Sequence, residues 1–123
     1  MRQTNYDLWR YYDVANRKYF KNKLDKTIPI RFAKLPRKVL GRTQVCNHGI
    51  AQCIEISEDL RKFEAHTIMT MLHEMCHVEN PRWKGHGYKF DRRMLKLAKD
   101  GAFAGLWILL LMVTMKGNLW NCF

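Results

Sequence analysis

Apolar residues recur at helical spacing through residues 6–20. Leu8, Tyr12, Ala15 and Tyr19 form one stripe, with Arg10, Arg17 and Lys18 off it. The pattern predicts an amphipathic helix ending in the polar stretch 21–26. In Ile28-Pro29-Ile30-Arg31-Phe32 a strand is expected. Pro29 confines it to a sheet edge or an irregular start, because proline has no N–H to give the ladder. Residues 39–46 and 50–57 flank Asn47-His48-Gly49, and that turn chemistry predicts a hairpin. In its second strand Ile50, Ile54 and Ile56 are expected on one side, with Ala51, Cys53 and Glu55 on the other.

Helical periodicity returns after Ser57, which can cap a short turn over Glu58-Asp59-Leu60. Ala65, Ile68, Met69, Leu72 and Cys76 mark one face of a helix running to about Glu79, and Pro81 and Gly85 signal a loop. After Gly87 a last helix carries Phe90, Met94, Leu97 and Ala98 on one side, with Lys89, Arg92, Arg93, Lys96 and Lys99 on the other. Helix, small sheet, helix, helix is an α+β order. Residues 1–100 form the expected domain, and 101–123 a hydrophobic C-terminal segment of different character. The run 101–115 has no charged residue. As a helix it would span only about 22 Å, short of a bilayer, so a core helix or strand is expected there and no transmembrane span.

Composition adds a charge bias. The 123 residues include 22 Lys+Arg against 11 Asp+Glu, a formal charge of +11, and 47% hydrophobic residues exclude a disordered chain. From Lys26 to Ile54 there are basic residues (Lys26, Arg31, Lys34, Arg37, Lys38, Arg42) and no acid. From Arg82 to Lys99 Asp91 alone offsets the cations. An anionic partner is implied, nucleic acid being the commonest. Cys46, Cys53, Cys76 and Cys122 form no Cys-x-x-Cys pair, which argues against a disulfide framework or zinc ribbon. The start MRQTNYD has no signal-peptide core, and a cytoplasmic protein is expected.

The candidate chemistry is His73-Glu74-Met75-Cys76-His77, a His-Glu-x-x-His motif within the strongest helical pattern. Helical spacing sets His73 and His77 about 40° apart and roughly 6 Å along the axis, on one face, where both imidazoles can share one zinc. Glu74 lies beside them, placed to hold a water. His86, in Gly85-His86-Gly87, is the candidate third ligand, its glycines expected to let the backbone turn and approach the metal; Asp91 is the weaker alternative. Three ligands plus water is the open coordination of a catalytic site. The compact pattern His-Glu-x-x-His-x-x-Gly-x-x-His is excluded, since Asn80 and Trp83 occupy its glycine and histidine positions. Cys76 lies about 100° from His77 and is expected in the core. Tyr88 and His48 are candidate oxyanion donors, against packing and turn roles. Trp83 suits either a substrate cleft or a seal on the core.

The motif followed by Gly85-His86-Gly87 and Phe90 resembles the SprT-like zinc metalloproteases, the family that includes the eukaryotic protease Spartan. Asn16-Arg17-Lys18-Tyr19-Phe20 with Leu24 resembles the family's first helix. Gly41-Arg42 and Ile54-Glu55-Ile56-Ser57 resemble its strands, and Thr70-Met71-Leu72 its lead into the motif. The resemblance covers residues 8–100 and implies a zincin-like single domain. It implies Zn2+ held by His73, His77 and His86, Glu74 as catalytic base, and proteolysis of proteins associated with or crosslinked to DNA. A DNA-associated location follows, nuclear in a eukaryote. The paired-cysteine zinc ribbon of many bacterial members is not in this sequence.

Arg37, Lys38, Arg42, Lys84, Lys89, Arg92, Arg93 and Lys96 are the candidate nucleic-acid contacts, through phosphates and without base reading. Two other readings compete with a DNA-directed protease. One is a nucleic-acid-binding module with structural zinc; the other is a metallopeptidase with no DNA role.

Overall fold

A computed structural model describes residues 2–82 and 86–103. It is α+β, with three helices and a three-stranded mixed sheet. The first helix, α1 (Asn5–Tyr19), opens on a capping box. The Thr4 side chain accepts from the Asp7 N–H, and the Asp7 carboxylate accepts from the Thr4 N–H, satisfying two donors that helix geometry leaves open. Leu8, Tyr12 and Ala15 are buried as the stripe predicts. So is Asn16, which reaches back to the chain beyond the helix. Its side-chain amide donates to the Leu24 carbonyl and its Oδ1 accepts from the Leu24 N–H, both at 3.1 Å.

The strands are β1 (Ile30–Ala33), β2 (Gly41–Val45) and β3 (Ala51–Ser57), in the order β1-β3-β2. β3 is central, parallel to β1 and antiparallel to β2. Pro29 fits as expected: the strand begins just after it at an edge, and its carbonyl accepts from the Ile54 N–H. The hairpin closes through Asn47-His48-Gly49, with Gly49 at φ +75°, in the region that favours glycine. The expected alternation in β3 holds for Ile54 and Ile56, which face the helices, but Ile50 precedes the strand and is 61% exposed. The opposite side of β3 is also covered. Glu55 is buried there between Arg31 and Arg42, with Gln44 donating to the same carboxylate.

Ser57 caps a single 3-10 turn, Glu58–Leu60, and α2 (Glu64–Glu79) follows. A one-sided stripe was expected for α2, yet every residue from Met69 to His77 is buried. The cause is its central position. The sheet packs on one side of α2, and α1 and α3 (Tyr88–Lys99) pack on the others. Phe90, Met94 and Leu97 bury the apolar side of α3. Such side chains contribute about 1.5–3 kcal/mol each when fully buried. Arg93 departs from the outward face assigned to it. Its guanidinium pairs with Glu79 at the end of α2, donates to the Tyr19 carbonyl and lies over the Phe20 ring, so it ties the middle of α3 to the ends of α1 and α2.

Cys46, Cys53 and Cys76 are free thiols. Among the described residues no helix is long and apolar enough to cross a membrane. The expectation for the uncharged tail falls largely on residues 104–123, outside the described residues.

Candidate metal centre

Helix α2 presents His73 and His77 one turn apart, and the chain entering α3 returns His86 to the same point. The three Nε2 atoms converge: His73 to His86 at 3.0 Å, His77 to His73 at 3.3 Å and His77 to His86 at 3.3 Å. Among the described residues these three histidines form a group able to hold a metal ion. Ligand distances of about 2.0–2.1 Å around a tetrahedral ion place neighbouring nitrogens about 3.3–3.4 Å apart; the two His77 separations match this, and the His73–His86 separation of 3.0 Å is a few tenths shorter. The donor set fits a single small cation.

Phe90 underlies the cluster, its ring centre 4.6, 4.8 and 4.9 Å from those of His73, His77 and His86. This apolar base narrows the orientations open to the imidazoles. His73 and His77 are buried and His86 is half-buried. Burial, reinforced by neighbouring imidazoles, lowers the pKa of His73 well below the usual histidine value and that of His77 to about 4. Near neutral pH both therefore present lone pairs to a cation.

Glu74 is fully buried between α2 and the sheet. One oxygen, Oε1, accepts from the Thr43 hydroxyl of β2 at 2.8 Å. The other, Oε2, stands 3.8 Å from His73 Nε2. The carboxylate thus bridges the sheet and the imidazole cluster. Close packing makes this possible at Gly41. A Cβ there would stand 2.7 Å from Thr70 Cγ2 and 3.2 Å from Glu74 Oε2.

Gly87 behaves differently from expectation. Its φ of −79° and ψ of −172° suit any residue, and among the described residues nothing lies within 4 Å of where a Cβ would stand. Close approach to the metal point is not the reason for a glycine at 87; Gly85 is outside the described residues. Asp91 is exposed on α3 and outside the cluster. Cys76 is buried, its thiol 3.6 Å from the Met94 sulfur and its pKa pushed up by burial, in keeping with a core role. His48 is exposed in the hairpin turn, and His66 is exposed with its ring edge-on to Phe63. Tyr88 is 73% exposed, with the Arg92 guanidinium over its ring.

Of the basic candidates, Arg37, Lys38, Lys89, Arg92 and Lys96 are exposed. Arg42 is paired with Glu55 and Arg93 with Glu79, so both charges already have partners. Lys84 and Trp83 lie outside the described residues. Sequence reading missed Thr43. Its signal was weak: a polar β-branched residue two positions after Gly41, on the same face of a strand.

No curated protein matches the chain. The family model described as the SprT-like family matches residues 8–105, from the first turns of α1 past the end of α3. That span includes all three histidines, Glu74 and the strands that cover them, and this chain belongs to the SprT-like family.

Proposed function

We propose that this protein is a zinc-dependent endopeptidase directed at proteins associated with or crosslinked to DNA. The observation that carries the peptidase reading is the convergence of three imidazole Nε2 atoms at 3.0–3.3 Å beside a buried carboxylate. His73, His77 and His86 are the residues that would hold Zn2+, leaving a fourth position open. Bound there, zinc supplies Lewis-acid polarisation of a peptide carbonyl and lowers the pKa of a water to about 7. Glu74 is the general base. It takes a proton from the attacking water and returns it to the leaving amine. Residues 1–100 are the catalytic unit, with 101–123 appended to it.

The DNA part of the reading rests on charge. The net charge is +11, and Arg37, Lys38, Lys89, Arg92 and Lys96 are exposed cations. Contacts of this kind address phosphates, so affinity should fall steeply with salt and little with base sequence. Purified protein is to be assayed for bound metal and for cleavage of a DNA-bound protein, with and without DNA. Glu74→Gln should retain zinc and lose cleavage, and His86→Ala should lose zinc. Cleavage by Glu74→Gln would sink the mechanism. Cleavage indifferent to DNA, with no salt dependence of DNA binding, would leave a metallopeptidase without a DNA role. Bound zinc without any cleavage would favour a nucleic-acid-binding module.

A further inference from the structure

We propose that Thr43 is a positioning residue that aims Glu74 at the metal point. The inference rests on the reading of Glu74 as the base. A glutamate's terminal torsion is broad and has no sharp rotamer wells, so packing alone leaves a carboxylate free to rotate about its last bond. Here Thr43 restrains that rotation. Its hydroxyl lies 2.8 Å from Glu74 Oε1 and 3.2 Å from the Glu74 main-chain oxygen. One hydroxyl has one proton to donate. The main-chain oxygen lies inside α2, where the helix ladder already supplies it with a donor, and the carboxylate is the nearer acceptor. The proton therefore goes to Oε1. With Oε1 fixed, Oε2 is the oxygen turned toward the cluster, 3.8 Å from His73 Nε2.

The strand is held where the hydroxyl can reach. Thr43 pairs across the sheet with Ile54 and shares its helix-facing side with Gly41, which packs directly on Thr70 and Glu74. A side chain at 41 would lift β2 from α2 and take the Thr43 hydroxyl with it. The sheet thus acts on the site through the Thr43 hydrogen bond to Oε1 together with the close packing of Gly41, and Thr43 itself is not a metal ligand in this arrangement.

Thr43→Val, close to isosteric, removes the hydroxyl, and Thr43→Ser restores it. In the zinc-loaded protein, Thr43→Val should lower kcat about 10–100-fold with KM changed less than about threefold and zinc content unchanged. Thr43→Ser should return kcat to within about threefold of the parent. A second readout uses metal-free protein. Thr43→Val should lower the folding equilibrium constant on the order of tenfold in the parent, but less than about twofold where Glu74→Ala has already removed the acceptor. Unchanged kcat in a zinc-replete Thr43→Val protein overturns the proposal. So does failure of serine to rescue, or an equal folding penalty in both backgrounds. Full cleavage by Glu74→Gln would instead overturn the assignment of the base, whatever Thr43 does.

Discussion

Gly41→Ala tests the packing that brings the sheet onto the active-site helix. Away from contacts, alanine for glycine at an ordinary strand dihedral should add about 0.4–1 kcal/mol of stability by restricting the unfolded chain. Position 41 should reverse that sign. The new Cβ would stand 2.7 Å from Thr70 Cγ2, where ordinary contact is 3.4–4 Å, and 3.3 Å from the Glu55 carbonyl oxygen. Thr70 cannot turn away cheaply, because its hydroxyl is bonded to the His66 carbonyl at 2.8 Å and its branched side chain is buried in α2. Relief has to come from the backbone. Overpacking of this kind costs about 1–3 kcal/mol, read as a lowered urea midpoint at unchanged m-value. Thr70→Ser removes the offending methyl and keeps the hydroxyl, so the double variant should recover at least half of the loss. A Gly41→Ala protein as stable as the parent, or a double variant with purely additive effects, would refute the reasoning.

Gly87→Ala, by contrast, meets no described residue within 4 Å and should leave zinc affinity within about twofold, measured by competition with a chelating dye. Asn16→Ala strips two backbone partners from the buried Leu24 segment and should cost about 2–3 kcal/mol in urea unfolding. Acid should weaken the metal-free protein in two windows. Unfolded His77 takes its proton near pH 6.5 and the folded residue only near 4, so stability should fall as pH drops between these values, on the order of 3 kcal/mol. The His73 pKa is also lowered by burial and adds to the same slope, so His77→Ala should reduce the slope without abolishing it. Burial raises the pKa of Glu55, but hydrogen bonds and charges from Arg42 and Arg31 outweigh it and leave the carboxyl below its ordinary value. Its contribution is therefore present above the unfolded value of about 4.5 and lost as pH falls through the folded one. Glu55→Gln should remove this second slope from a urea-midpoint series.

Much of the site is readable because it is local. His73 and His77 are four residues apart on a helix, so the geometry that aligns their imidazoles is fixed by helical pitch alone. The short turn capped by Ser57 is readable for the same reason, whereas the Thr4–Asp7 capping box that opens α1 was not read from the sequence. What failed were inferences about direction made without a neighbour in view. Arg93 sits among lysines and arginines in the sequence, yet Glu79 and the Tyr19 carbonyl draw it inward across two helix ends. Glu55 does lie on the side away from the helices, as the alternation predicts; what periodicity leaves out is its burial there, under Arg31 and Arg42 from β1 and β2.

By itself the sequence determined the α+β order, the hairpin, the motif helix and the pair of histidines one turn apart, all set by interactions between residues close in the chain. The tertiary structure decided the rest. It closed His86 to within 3.3 Å of His73 and His77, placed Phe90 beneath all three rings and brought the Thr43 hydroxyl to Glu74 across 31 residues. It also divided the surplus of cations, pairing Arg42 and Arg93 with acids while leaving Arg37, Lys38, Lys89 and Arg92 facing solvent. Local periodicity states which way a side chain points from its own element. Whether a partner meets it there depends on how the elements pack, which periodicity along the chain does not encode.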